Sequence, residues 1–255
     1  MNRSLTTLAG SIGHFFCYLF DNILCGFPKR YIEAYNCLMQ IFFSGVLSSF
    51  IIIPSACFIG GVLALQGHYI LSMFGSETQL GQLITLSTFR ELGPVVSALL
   101  YTGRTGSSIT SEIAIMELSE QIKALEAMEI PTKSYILFPR FISGIISLPL
   151  LTILFNTFAI IGGHIIAIYW LQIDAGLFWI DIRKNVTFNI DLAPGLFKSL
   201  IFSIIIHSIA LYKGTFANKS ASGVAQATTE TVVTSSLAIL IADFFLTALL
   251  MRIWI

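Results

Sequence analysis

Residues 41–66, IFFSGVLSSFIIIPSACFIGGVLALQ, contain no charged side chain. They lie inside a longer charge-free stretch between Glu33 and Glu77, 43 residues in all. About 20 apolar residues let a helix cross a hydrocarbon layer of about 30 Å, so this stretch holds a span near 40–66. Pro54 reads as a kink in that span rather than a stop. A second charge-free stretch, 33 residues between Arg140 and Asp174, gives a span near 138–170 with Pro139 in its first turn and Pro149 inside it. Three further candidate spans carry charges: 80–104 with Arg90 and Glu91, 193–213 with Lys198, and 230–252 with Asp243. The reading is an all-α integral membrane protein with five spans.

The composition agrees. Of 255 residues, 55% are apolar and 11% are charged. A soluble domain is nearer 25% charged, so too few polar residues exist to cover a globule of this size. Fourteen Lys and Arg balance fourteen Asp and Glu, which removes the basic excess of a nucleic-acid binder. A disordered chain, a disulfide-stapled secreted domain and an ordinary cytosolic enzyme are excluded on the same figures.

The first 33 residues differ from the rest. Residues 8–27, LAGSIGHFFCYLFDNILCGF, are apolar but broken by Gly, Ser, His14, Asp21 and Asn22, and Lys29-Arg30 follow. A cleaved signal peptide wants a basic start and a clean apolar centre. An interfacial helix anchored by Phe, Tyr and Lys/Arg suits 1–33 better. Basic residues then set the orientation. With the segment before the first span inside, nine of them (Arg3, Lys29, Arg30, Arg104, Lys123, Lys133, Arg140, Lys213, Lys219) fall inside and three (Arg183, Lys184, Arg252) outside. The expected N-terminus is cytoplasmic and the C-terminus lies across the membrane. Cys17, Cys25, Cys37 and Cys57 show no C-x-x-C spacing, so neither a metal nor a disulfide is assigned.

The most informative stretch is 90–129, RELGPVVSALLYTGRTGSSITSEIAIMELSEQIKALEAME. Charges at membrane depth cost several kcal/mol unless paired or hydrated. Adjacent helical residues point about 100° apart, so Arg90 and Glu91 cannot simply face each other, and at least one must meet a neighbouring helix, a water-filled cavity or a ligand headgroup. The pair either makes an interhelical polar contact that fixes packing or forms a polar feature lining a cavity. Farther on, Glu112, Glu117, Glu120, Glu126 and Glu129 accompany Lys123, while Ile115, Leu118, Ile122 and Leu125 form an apolar stripe up to Pro131. This predicts one amphipathic acidic helix over 112–129 on the cytoplasmic side, either a solvated connector or a docking helix for a partner. The 171–192 segment reads as a short interfacial helix on the far side, with an aromatic belt at Phe178 and Trp179. Asp243 has Lys198 or a backbone donor as its candidate partner, and it serves packing or transport.

No phosphate-binding G-x-x-x-x-G-K-[ST] occurs, nor H-E-x-x-H, nor G-x-S-x-G. With no energy source and no inverted repeat, the chain reads as the permease half of a pump driven by a separate ATPase. The alternatives are a passive scaffold for a periplasmic lipid-binding ring, and an ion-coupled transporter using Arg90, Glu91, Lys198 and Asp243 as a relay.

At 90–131, at 139–155 (PRFISGIISLPLLTILF) and at 227–250 (ATTETVVTSSLAILIADFFLTALL) the sequence resembles the MlaE (YrbE) permeases, membrane subunits of ABC-type lipid transporters. The likeness runs from about Gly60 to Leu250. It implies a single permease domain over 1–255, present as a homodimer in the inner membrane of a Gram-negative bacterium. The implied partners are a cytoplasmic ATPase (MlaF-like), a STAS-domain protein (MlaB-like) and a periplasmic MCE-domain ring (MlaD-like). ATP and Mg are used by the ATPase, and this chain binds no cofactor. The implied substrate is phospholipid, moved between inner and outer membranes to maintain outer-membrane lipid asymmetry. By resemblance, Leu63, Ile70, Leu71, Phe74, Arg90 and Glu91 line a lipid cavity between subunits, and Phe74 stands where close relatives carry Tyr. Segment 112–129 matches the coupling helix, with Glu117, Glu120, Gln121, Lys123, Leu125 and Glu126 as its contact residues. Asp191 matches an acidic residue of the far-side loop.

Overall fold

The computed structural model describes residues 34–254, and the regular structure among them is helical. The interfacial helix expected over 1–33 lies outside the described residues. Five helices are long and apolar enough to cross a membrane: Tyr35–Met73, Glu77–Leu118, Tyr135–Tyr169, Asn189–Thr215 and Ala221–Arg252. These are the first to fifth spans of an all-α, multi-pass membrane protein. Two short helices, Gln121–Ala127 and Ala175–Asn185, fill the connections after the second and third spans.

Most spans outrun the bounds that hydropathy suggests. The second continues to Leu118 through Gly103–Ser111, a run that reads as polar. Its hydroxyls do not compete with the helix, because they bond back to it. Ser107 donates to the Gly103 carbonyl (2.6 Å) and Thr110 to the Gly106 carbonyl (3.0 Å).

The acidic segment 112–129 is not one helix. Residues 112–118 complete the second span, the chain turns at Ser119, and Glu120 adopts a left-handed φ of 58° before Gln121–Ala127 begins. Ser119 Oγ donates to the Ile115 carbonyl at 2.7 Å. On a continuous helix Ile115 and Ile122, seven residues apart, would share a face. Here Ile115 is exposed, whereas Ile122 packs on the cluster of Ile109, Ile113, Phe141, Ala210 and Leu211. Burying Ile122 is what the turn achieves.

Small residues set how closely the spans approach. A Cβ at Gly60 would collide with the Ala159 carbonyl, and one at Gly162 with the Cys57 backbone, so the first and third spans meet almost backbone to backbone. Hydroxyl pairs between spans add to this: Ser44 with Ser147 (2.9 Å), Ser48 with Thr105 (3.0 Å) and Ser97 with Thr152 (2.8 Å). At one end Arg104 Nη1 donates to the Phe43 carbonyl and to Ser48 Oγ, both at 2.9 Å. At the other, Asp174 caps Ala175–Asn185 through the Leu177 N–H, and Asp181 accepts from the Gln82 N–H (2.9 Å) to fasten that helix to the second span. Phe178 is buried beneath it among Ala64, Leu80, Ile84 and Ala167.

Candidate functional site

Five π-turns occur within or at the start of the spans among the described residues, and three end two residues before a proline. Thr88–Leu92 precedes Pro94, Lys133–Leu137 precedes Pro139, and Phe188–Leu192 precedes Pro194. Proline lacks an N–H and its ring crowds the carbonyl four residues back. A wider turn relieves that crowding and leaves carbonyls to be satisfied from elsewhere. The Gly93 N–H accordingly donates to the Thr88 carbonyl, five residues back. The Arg90 carbonyl, which a residue other than Pro94 would have engaged, accepts from Lys198 Nζ at 3.2 Å.

Two of these turns face each other between the second and fourth spans. Gly195 permits this, since a Cβ there would collide with the Phe89 carbonyl. The turns carry Arg90, Glu91 and Asp191 into one cluster with Lys198, Asp243 and Thr247. Arg90 donates through Nε (2.9 Å) and Nη2 (2.6 Å) to Asp191 Oδ1. The other Asp191 oxygen accepts from the Thr187 N–H (2.7 Å) and hydroxyl (3.3 Å). Lys198 Nζ donates to Glu91 Oε2 (2.6 Å), to Asp243 Oδ1 (3.1 Å) and to Thr247 Oγ1 (2.6 Å). Thr247 in turn donates to Glu91 Oε2 at 3.2 Å.

Asp191 and Lys198 are buried, while the side chains of Arg90 and Glu91 keep 40% and 42% exposure. The exposed pair lines a cleft whose remaining walls are Ile190, Pro194, Lys198, Thr247, Leu250 and Met251. Arg90 and Glu91 do not face each other: both reach the fourth span, Arg90 at Asp191 and Glu91 at Lys198. Their side chains link the second span to the fourth and also line the cleft. Lys198 is the partner of Asp243 that the sequence offered. Asp191 sits inside the fourth span, which begins at Asn189, rather than in a loop. Thr247 escaped the sequence reading because a lone hydroxyl in an apolar run gives no signal until its neighbours are known.

Leu63, Ile70, Leu71 and Phe74 lie along the end of the first span, and none of them lines this cleft. Leu63 and Leu71 are half-buried against the cluster around Phe178, whereas Ile70 and Phe74 are exposed.

The acidic corner at the opposite end of the second span divides in two. Glu112 pairs with Arg140 (3.1 Å) and Glu117 with Lys219 (3.5 Å), so both tie the bundle together. Glu120, Gln121, Lys123 and Glu126 are exposed and Leu125 is half-buried. The hydrogen bond and charge of Lys123, 2.7 Å away, hold the Glu120 carboxyl below its usual pKa, and Glu120 raises Lys123 in return.

Residues 37–249 match the family described as permease MlaE. The chain belongs to that family. It is 44% identical over 211 residues to the intermembrane phospholipid transport system permease protein MlaE of Haemophilus influenzae, covering 83% of this chain and 81% of the relative. It is 34% identical over 254 residues to a probable ABC transporter permease protein of Rickettsia conorii, covering 99% of this chain and 97% of the relative. A probable ABC transporter permease protein of Synechocystis is 35% identical over 221 residues, 87% of this chain and 84% of the relative. The MlaE match encloses the charged and hydroxyl residues of the cluster, from Arg90 to Thr247, and the acidic corner.

Proposed function

We propose that this MlaE-family chain is the permease subunit of an ABC-type complex that moves phospholipid between the inner and outer membranes of a bacterium and so maintains outer-membrane lipid asymmetry. The observation that carries the reading is the cleft itself: a guanidinium and a carboxylate, both part-exposed, open between spans onto the apolar walls of Ile190, Pro194, Leu250 and Met251. That combination of a polar spot and an oily surface is what an amphiphile requires. The relatives named as ABC transporter permeases, one of them for phospholipid, support it.

In this reading the chain forms a homodimer in the inner membrane, with the N-terminus cytoplasmic and the C-terminus periplasmic. Arg90 presents a donor to the lipid phosphate. Ile70 and Phe74, exposed on the first span, belong to the wall against which acyl chains rest, completed by the second subunit. A cytoplasmic ATPase, accompanied by a STAS-domain protein, docks on the acidic corner through Glu120, Gln121, Lys123, Leu125 and Glu126. It supplies the ATP and Mg chemistry that this chain lacks. Closure of the ATPases rocks the spans, and the lipid passes to a periplasmic MCE-domain ring.

The test is transfer of a labelled phospholipid from proteoliposomes holding this chain with its ATPase. ATP-dependent transfer, reduced at least about tenfold by Arg90→Ala, is expected. Transfer indifferent to ATP overturns the pump. If uncouplers abolish that ATP-independent transfer, the cluster of Arg90, Glu91, Lys198 and Asp243 acts as an ion relay instead; if they do not, the chain is a scaffold.

A further inference from the structure

The charged cluster holds two cations, Arg90 and Lys198, against three carboxylates, Glu91, Asp191 and Asp243. With all five ionised it carries one excess negative charge. Most of its hydrogen-bonding capacity is spent internally. Lys198 has three N–H donors and four acceptors within reach: the Arg90 carbonyl, Glu91, Asp243 and Thr247. Asp191 has both oxygens engaged and is buried. Asp243 does not line the cleft.

Two groups remain open toward the cleft. Arg90 commits Nε and Nη2 to Asp191, and among the described residues Nη1 has no partner. Glu91 commits Oε2 to Lys198 and Thr247, whereas Oε1 has only a long 3.4 Å contact from the Thr247 hydroxyl. The cleft therefore offers one cationic donor beside one anionic acceptor. A phosphate alone satisfies the first and meets excess negative charge at the second. A headgroup with both a phosphate and a protonated primary amine satisfies each.

We infer that Glu91 reads the headgroup: Glu91 Oε1 accepts from the ammonium of a zwitterionic aminophospholipid while Arg90 Nη1 holds its phosphate, so the site favours such lipids over anionic ones. This rests on the phospholipid reading above and adds the headgroup class to it. Methylating the amine removes the N–H donors but keeps the charge, so phosphatidylcholine falls between the two.

The experiment uses the full chain, purified in detergent and incubated with an equimolar mixture of phosphatidylethanolamine and phosphatidylglycerol of matched acyl chains. Retained lipid is quantified by mass spectrometry. Wild type is expected to retain phosphatidylethanolamine over phosphatidylglycerol by at least about fivefold, within what one charge-assisted hydrogen bond can give. Glu91→Gln should bring the ratio toward one, and Glu91→Asp should restore part of it. A wild-type ratio near one overturns the inference without any variant, and so does a ratio that E91Q leaves unchanged. Retention of neither lipid by wild type overturns the phospholipid reading itself, a result distinct from unselective binding.

Discussion

Five charged side chains meet between the second, fourth and fifth spans, whereas Glu120, Lys123 and Glu126 at the corner after the second span stand out in solvent. In the first region Lys198 is buried and every carboxylate has a named donor. In the second, Glu120 and Lys123 are 65% and 59% exposed and pair with each other, three residues apart. The same residue types thus work under opposite constraints. Burial makes an unpaired charge costly, so the members of the cluster hold one another in place, the buried Lys198 most of all. Solvent screens Glu120, Lys123 and Glu126, so these charges are individually dispensable to the fold and free for recognition.

Removing the central cation tests this contrast most severely. Lys198→Met should strand Asp243 in the bundle, leave Glu91 without its cation and free the Arg90 carbonyl that Pro94 cannot occupy. A loss of about 3–5 kcal/mol is expected, the range for breaking a buried pair from one side. Thermal unfolding of the purified chain in detergent measures it. A variant as stable as wild type would erase the distinction between the regions.

Asp191→Asn should cost less, about 1–2 kcal/mol. The amide oxygen can still accept from Arg90, and the guanidinium, 40% exposed, can turn toward water or a headgroup. Both variants lie in one network, so the double variant should cost less than the sum of the two.

The contrast also explains what was legible in the sequence. The first and third spans follow from the absence of charge over 34–76 and 141–173. The second, fourth and fifth are harder because their charges pair in three dimensions, and pairing cannot be seen along a chain. Arg90 and Glu91 stood out for the cost they imply, and Asp243 with Lys198 was a natural pairing. Sequence alone puts Asp191 in the far-side loop, because the π-turn that brings it inside the fourth span has no composition of its own. The turn at Ser119–Glu120 was invisible for a related reason. It uses neither Gly nor Pro, and only the burial of Ile122 reveals why the helix stops.

In the corner, charge should separate from stability. The double variant Glu120→Lys with Glu126→Lys should leave the unfolding midpoint unchanged, since neither side chain is packed. If the ATPase docks there, the same variant should lose the partner in co-purification. Glu117 is left out on purpose, because its contact with Lys219 fastens the loop before the fifth span. A variant that unfolds the chain would place the corner under the cluster's rules.

The smallest expected effect is a gain. The helix Gln121–Ala127 ends with the Glu129 N–H donating to the Glu126 carbonyl (3.0 Å) and the Ile130 N–H to the Leu125 carbonyl (3.0 Å). That pattern places Glu129 at the left-handed position where helices most often carry glycine, and its φ is 56°. A side chain there costs about 1–2 kcal/mol in the folded state. Glycine removes the strain but adds about 0.5–1 kcal/mol of backbone entropy to the unfolded chain. Glu129→Gly should therefore stabilise this turn by about 0.5–1 kcal/mol, the difference of the two. A local gain of that size is best read as slower amide exchange over 121–130, because global unfolding is governed by the spans. Faster exchange would mean that the Glu129 side chain holds the corner in place, and that even its exposed carboxylates are tied to the fold.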